Sequence, residues 1–256
     1  MLADFDKACG KIGLRLILTK TMFMRNGLVS FAPFTLNGTN IFECSSYVYL
    51  GGEINMMNDL APELSTRKRA AWGACQSIED VVKRTKNTRL RAHLFDSAVL
   101  PALTYASETW SLRNEDERSL SVMEHAVERT MLGVSCFAQV KDEIRSSDLC
   151  QRSKIKDTVL FAKQSKIRWA GHVARMNGNQ WTRAISYWIL QDVKRTAGRP
   201  PSRWLEFFTK SLEERYGARR LSRASRTHWA ALARDRKKWK IYWPLLESLD
   251  DQWVYR

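Results

Sequence analysis

The hydrophobic positions change period along the chain. In residues 1–12 (MLADFDKACGKI), Leu2, Phe5, Ala8, Cys9 and Ile12 recur at the three-to-four spacing of one helix face. Gly10 and Gly13 stand at its end and just past it, where a left-handed cap is usual. Short β-prone runs follow at 21–24 (TMFM), 34–36 (FTL), 40–44 (NIFEC) and 47–50 (YVYL). Asn37-Gly38 separates two of them; both central residues of a tight hairpin turn need positive φ, which this dipeptide tolerates. Residues 21–52 therefore read as a small antiparallel sheet. From Asn58 onward the helical period returns. One helix is predicted from about Asp59 to Arg84, with Pro62 tolerated in its first turn. A second runs from about Thr88 to Trp110, with Leu90, Leu94, Ala98 and Tyr105 on its apolar face and Pro101 kinking or splitting it. A third opens at Asn114, where Glu117 is placed to complete a capping box. It carries Leu120, Met123, Val127, Met131 and Leu132 on one face and stops before Gly133. Three such helices read as a bundle. Further helical patterns occupy about 153–176, 180–188, 202–216 and 225–248, with Gly198-Arg199-Pro200-Pro201 as a stiff break. The fold class is mainly α, with a small antiparallel β-hairpin sheet near the N-terminus.

Charge divides the chain. Residues 1–150 hold 18 Lys+Arg against 18 Asp+Glu, whereas residues 151–256 hold 24 against 9, so the whole net charge of +15 sits in the last part. Eight of the ten tryptophans are there too. A basic, aromatic-rich half points to a polyanionic partner, of which nucleic acid is the commonest. The charge change sets the expected organisation: 1–57, a β-containing segment; 58–135, a helical bundle; 136–152, a linker; 153–256, a basic Trp-rich helical region. Five cysteines at irregular spacing argue against a disulfide framework, and no Cys-x-x-Cys pair marks structural zinc. Cys136, Cys150 and His172 are a conceivable metal set but read as structural thiols and an ordinary histidine, so no metal site is assigned. No apolar run reaches membrane-spanning length, and Asp4, Asp6 and Lys7 leave no signal-peptide core after Met1. An intracellular protein, in nucleus or cytoplasm, is expected.

Three basic clusters carry the candidate chemistry. Lys163, Lys166, Arg168, His172 and Arg175 lie on one predicted helix; Arg168, His172 and Arg175 share a face, while Ile167, Ala170 and Ala174 line another that can bury. Lys194, Arg195, Arg199, Arg203 and Trp204 surround the proline break. Arg234, Arg236, Lys237, Lys238 and Lys240 lie among Trp229, Trp239 and Trp243; those tryptophans suit either a core or stacking on bases. Lys20, at the start of a strand, reads on its own as a surface lysine. Catalytic constellations are missing from the pattern: the only adjacent aspartate pair is Asp250-Asp251, in a polar tail. By its own residues the chain is a binding module.

The order of several motifs resembles the reverse transcriptases of non-LTR (LINE-type) retrotransposons, particularly the RTE-like group. The residues that carry the resemblance are Gly13-Leu14 with Lys20-Thr21, Tyr49-Leu50-Gly51, Leu100-Pro101-Ala102-Leu103-Thr104-Tyr105 and Glu108-Thr109-Trp110. Lys166-Ile167-Arg168-Trp169-Ala170-Gly171-His172 through Met176, Gly198-Arg199-Pro200-Pro201 with Arg203-Trp204, and Trp229 with Ala233-Arg234-Asp235-Arg236 and Trp239 complete the series. The resemblance implies the end of a polymerase palm at 1–57, a helical thumb at 58–135 and a C-terminal region that holds template or target nucleic acid. It places Lys20 near the incoming nucleotide and Tyr49, Leu50 and Gly51 in a primer-grip hairpin. Ile17 and Leu190 stand where the family usually has asparagine and proline. The family's paired catalytic aspartates come before the matched segment. This chain alone is therefore expected to be inactive as a polymerase and to need no cofactor, Mg²⁺ belonging to the full-length enzyme. Expected partners are RNA or DNA and the fingers and palm portion of the same polyprotein. The alternatives are a stand-alone helical DNA-binding protein that reads the major groove with the 163–176 helix, and a protein-interaction module.

Overall fold

A computed structural model describes residues 2–25, 33–57, 59–176, 208 and 232–242. These residues are mostly helical, with short strands confined to 22–55. No described helix is long and apolar enough to cross a membrane. The chain divides into two compact units, Met1–Glu63 and Leu64–Arg256.

The first unit opens with α1 (Leu2–Lys11). Gly13 takes φ +77°, and the Leu14 and Gly13 N–H groups donate to Cys9 O and Gly10 O, which closes the helix in a left-handed cap. Six short strands follow: β1 (Met22–Phe23), β2 (Thr35–Leu36), β3 (Thr39–Asn40), β4 (Phe42–Glu43), β5 (Ser46–Tyr49) and β6 (Gly52–Asn55). They form three separate two-stranded ladders instead of one antiparallel sheet, and β1 pairs with β4 in parallel. Parallel pairing is possible because the β2–β3 hairpin lies within the connection between those strands. That hairpin turns at Asn37-Gly38, φ +51° and +77°, as the dipeptide predicts. The Asn37 side-chain amide also donates to Asp6 Oδ2 of α1 at 3.2 Å. A second two-residue turn, Leu50-Gly51, joins β5 to β6 with φ +49° and +79°. Among its described residues, Leu36, Ile41 and Cys9 are the buried apolar ones.

The second unit is built on helices. α2 (Ala61–Arg84) is followed by α3 (Thr88–Leu94), whose Asn87 side chain caps the Arg89 and Leu90 N–H groups. The predicted long second helix is split just before Pro101. Phe95–Val99 form a π turn in which the Leu100 N–H reaches back to Phe95 O, and α4 (Leu100–Leu103) restarts with Pro101 in its first turn. Widening the helix there accommodates a residue that has no N–H and whose ring collides with the preceding turn. A 3₁₀ turn at Ser107–Thr109 leads to α5 (Asn114–Leu132). The N-terminal box is shifted one residue from expectation: Arg113 N–H donates to Asp116 Oδ2 at 2.9 Å, while Glu117 turns to Lys163. Gly133, φ +68°, ends the helix.

Residues 136–152, expected to be a linker, instead form α6 (Cys136–Lys141) and most of α7 (Ser146–Ser153). Leu149 of α7 is fully buried. α8 (Thr158–Ala174) packs on the 3₁₀ turn and on α5, so the start of the basic region shares the core of the bundle. Phe95, Val99, Leu100, Leu103, Leu120, Val127 and Ile167 are all but inaccessible there. The last described helix, α9, is Arg236–Tyr242.

Candidate nucleic-acid interface

α8 starts at an N-cap: Asp157 Oδ1 accepts the Leu160 N–H at 2.7 Å. Its inward face carries Ala162, Ile167, Ala170, Val173 and Ala174, so the apolar stripe foreseen at 167, 170 and 174 is the one that buries. Arg168, Trp169 and His172 are exposed on the outward side. The Trp169 and His172 rings lie 5.5 Å apart, and the Arg168 guanidinium lies 5.4 Å from the Phe161 ring.

A second element locks onto α8. Trp239 of α9 is 3% exposed, and its indole N–H donates to Ile167 O at 3.1 Å. The indole lies over Gly171, where a Cβ would overlap the ring, so the close approach needs glycine. Arg175 Nη1 donates to Ala233 O at 2.8 Å and pins the residues before α9, while the buried Phe208 ring stands 6.5 Å from Trp239. Asp235 caps α9: its Oδ1 accepts the Lys237 and Lys238 N–H groups at 2.9 and 3.2 Å. Those N–H groups, Lys238's foremost, hold the carboxyl below its usual range. Arg234, Arg236, Lys237, Lys238 and Lys240 are all exposed, Lys238 within 3.7 Å of Asp235. The Lys166–Met176 and Ala233–Trp239 motifs, distant in sequence, thus form one body that exposes Arg168 of the first and Arg234, Arg236, Lys237 and Lys238 of the second.

The other candidate residues are placed differently. Lys166 is a correction: it is 5% exposed and its Nζ donates to Trp110 O at 2.9 Å, because residues 162, 166, 170 and 173 share the inward face. Burial lowers its pKa to about 8. Lys163 is half-buried and pairs with Glu117 at 3.3 Å. Arg175 is committed to the Ala233 carbonyl. Lys20 lies in the turn before β1, and Tyr49, Leu50 and Gly51 form the tip of the β5–β6 hairpin; all four are exposed, and β1 and the β5–β6 hairpin belong to different ladders. Lys194, Arg195, Arg199, Arg203 and Trp204 lie outside the described residues.

Sequence reasoning missed a buried polar cluster between α5, α7 and α8. Glu128 is fully buried: Oε1 accepts the Ser153 hydroxyl at 3.0 Å, and Oε2 meets His125 Nδ1 at 2.8 Å and the Cys150 thiol at 3.6 Å. Glu124 Oε2 accepts the Thr158 N–H at 2.8 Å. Burial, then the nearby Asp157 charge, pushes Glu124 up to about 7. The hydrogen bond to Glu128 raises the His125 pKa, and burial takes the Cys150 thiol up to about 12. Among the described residues, His125, Glu128 and Cys150 are the group with donor atoms close enough for a metal ion, all within 4.8 Å. The Glu128 carboxylate is already satisfied by three donors and the thiol is held protonated, so the cluster reads as a brace between helices. The signal in the sequence was two acidic residues, 124 and 128, inside the apolar stripe of α5.

No family model matches the chain, and no solved structure does. A transposon-derived protein of Caenorhabditis elegans is 33% identical over 243 residues, covering 93% of this chain and 86% of that protein.

Proposed function

The chain belongs to a family of transposon-derived proteins, and from that premise we propose that it derives from the C-terminal part of a non-LTR retrotransposon reverse transcriptase and binds nucleic acid through its basic helices. The observation that carries the binding reading is the Trp239–Gly171 lock. It sets the exposed Arg168 of α8 and the exposed cations of 234–240 on one support, as a phosphate-tracking surface needs. The ordered motifs of the reverse-transcriptase series supply the family detail: Lys20 and the Tyr49–Gly51 hairpin face nucleotide and primer, and α2–α5 act as the thumb. RNA or DNA is the partner, together with a fingers and palm portion. Polymerase metal ions need paired carboxylates; among the described residues, Glu124 and Glu128 are committed to Thr158, His125 and Ser153.

Filter binding of the full chain to RNA, single-stranded DNA and duplex DNA tests this reading. If about six phosphates are neutralised, affinity falls roughly a thousandfold between 50 and 200 mM salt, with little sequence preference. A flat salt response refutes the phosphate surface. A strong preference for one duplex sequence favours the stand-alone major-groove reader instead.

A further inference from the structure

Trp169 stands two residues, about 200° around the helix, from both Ile167 and Gly171, the residues that meet Trp239. It therefore lies on the side of α8 away from the lock and the core, at 37% exposure. Its neighbours are the exposed His172 ring, 5.5 Å away and tilted by 32°, and the exposed Arg168, whose Nε reaches the Gln164 carbonyl at 3.5 Å. Two adjacent π surfaces beside a guanidinium form a recurrent way of holding a nucleotide: the rings take the face of a base and the cation its phosphate.

We propose that Trp169 and His172 form a stacking shelf for an unpaired base, with Arg168 on the adjoining phosphate, so that this surface selects single-stranded RNA or DNA over duplex. The proposal rests on the nucleic-acid reading above and adds the substrate class. In a duplex the base faces are occupied by their neighbours in the stack, so the shelf has nothing to hold. Arg234–Lys240 contribute charge to either form.

Fluorescence anisotropy at about 100 mM salt, with a labelled oligonucleotide either single-stranded or annealed to its complement, tests this on the full chain. The wild-type chain binds the single strand more tightly. Trp169→Ala loses about tenfold on the single strand and less than about twofold on the duplex. Trp169→Phe, which keeps a π face, retains most of the affinity, and circular dichroism checks that each variant is folded. Should Trp169→Ala not fold, His172→Ala carries the same comparison. Equal losses on both forms, or no loss on the single strand, overturn the shelf and leave the phosphate surface standing. No binding of either form by the wild-type chain overturns the nucleic-acid reading itself.

Discussion

At the scale of single residues, two buried contacts have measurable consequences. Glu124 has a folded-state pKa of about 7 against an ordinary value of 4.5, so between those pH values the folded chain binds the proton more tightly than the unfolded chain. The stability it contributes is full below about pH 4.5 and is lost as pH rises through 7. The full shift corresponds to about 3 kcal/mol. Urea unfolding at several pH values should show stability falling across this window, and Glu124→Gln should flatten that component while keeping an acceptor for the Thr158 N–H. The second contact is Gly171 beneath Trp239. Gly171→Ala should cost about 1–3 kcal/mol by forcing the indole away, and the cost should shrink in a Trp239→Ala background. If the two losses simply add, the residues are not coupled. Neither contact was legible beforehand. A glycine inside a helical pattern shows a close approach without its partner, and Glu124 and Glu128 inside the apolar stripe of α5 signal a buried polar group without naming the α7 and α8 residues that cover it.

At the scale of elements, legibility followed local chemistry. Asn37-Gly38 specified its own turn, because both residues accept positive φ. Leu50-Gly51 makes the same turn with a residue that pays a steric penalty in the left-handed region, and so the sequence does not mark β6. Leu50 is also 75% exposed, so its side chain contributes little to packing. Leu50→Asn should raise the stability of the hairpin by roughly 1 kcal/mol, seen as slower amide exchange across β5 and β6. Unchanged or faster exchange contradicts that account. The apolar stripe of α8 was readable from its period, but Lys166 was not, since a basic residue among arginines looks solvated when it in fact lies on the inward face. The polar composition of residues 136–152 reads as a linker because it hides single buried anchors such as Leu149. The parallel β1–β4 pair depends on contacts between distant residues, which no local pattern encodes.

At the scale of the whole molecule, the mainly helical architecture was legible from periodicity and the asymmetry of charge from composition. What joins them became visible only in three dimensions: two basic motifs about sixty residues apart pack into one body through Trp239, Gly171 and Arg175. The proposed partner of that body is nucleic acid. Nucleic-acid affinity is spread over many phosphates, so it depends on how many cations are held in place together. The most direct measurement compares the salt dependence of binding for the wild-type chain and Trp239→Ala, with both confirmed folded. Release of the 234–240 run should lower affinity at least about tenfold and make the plot of log affinity against log salt shallower by several phosphate equivalents. An unchanged affinity and slope in Trp239→Ala would contradict the single composite surface.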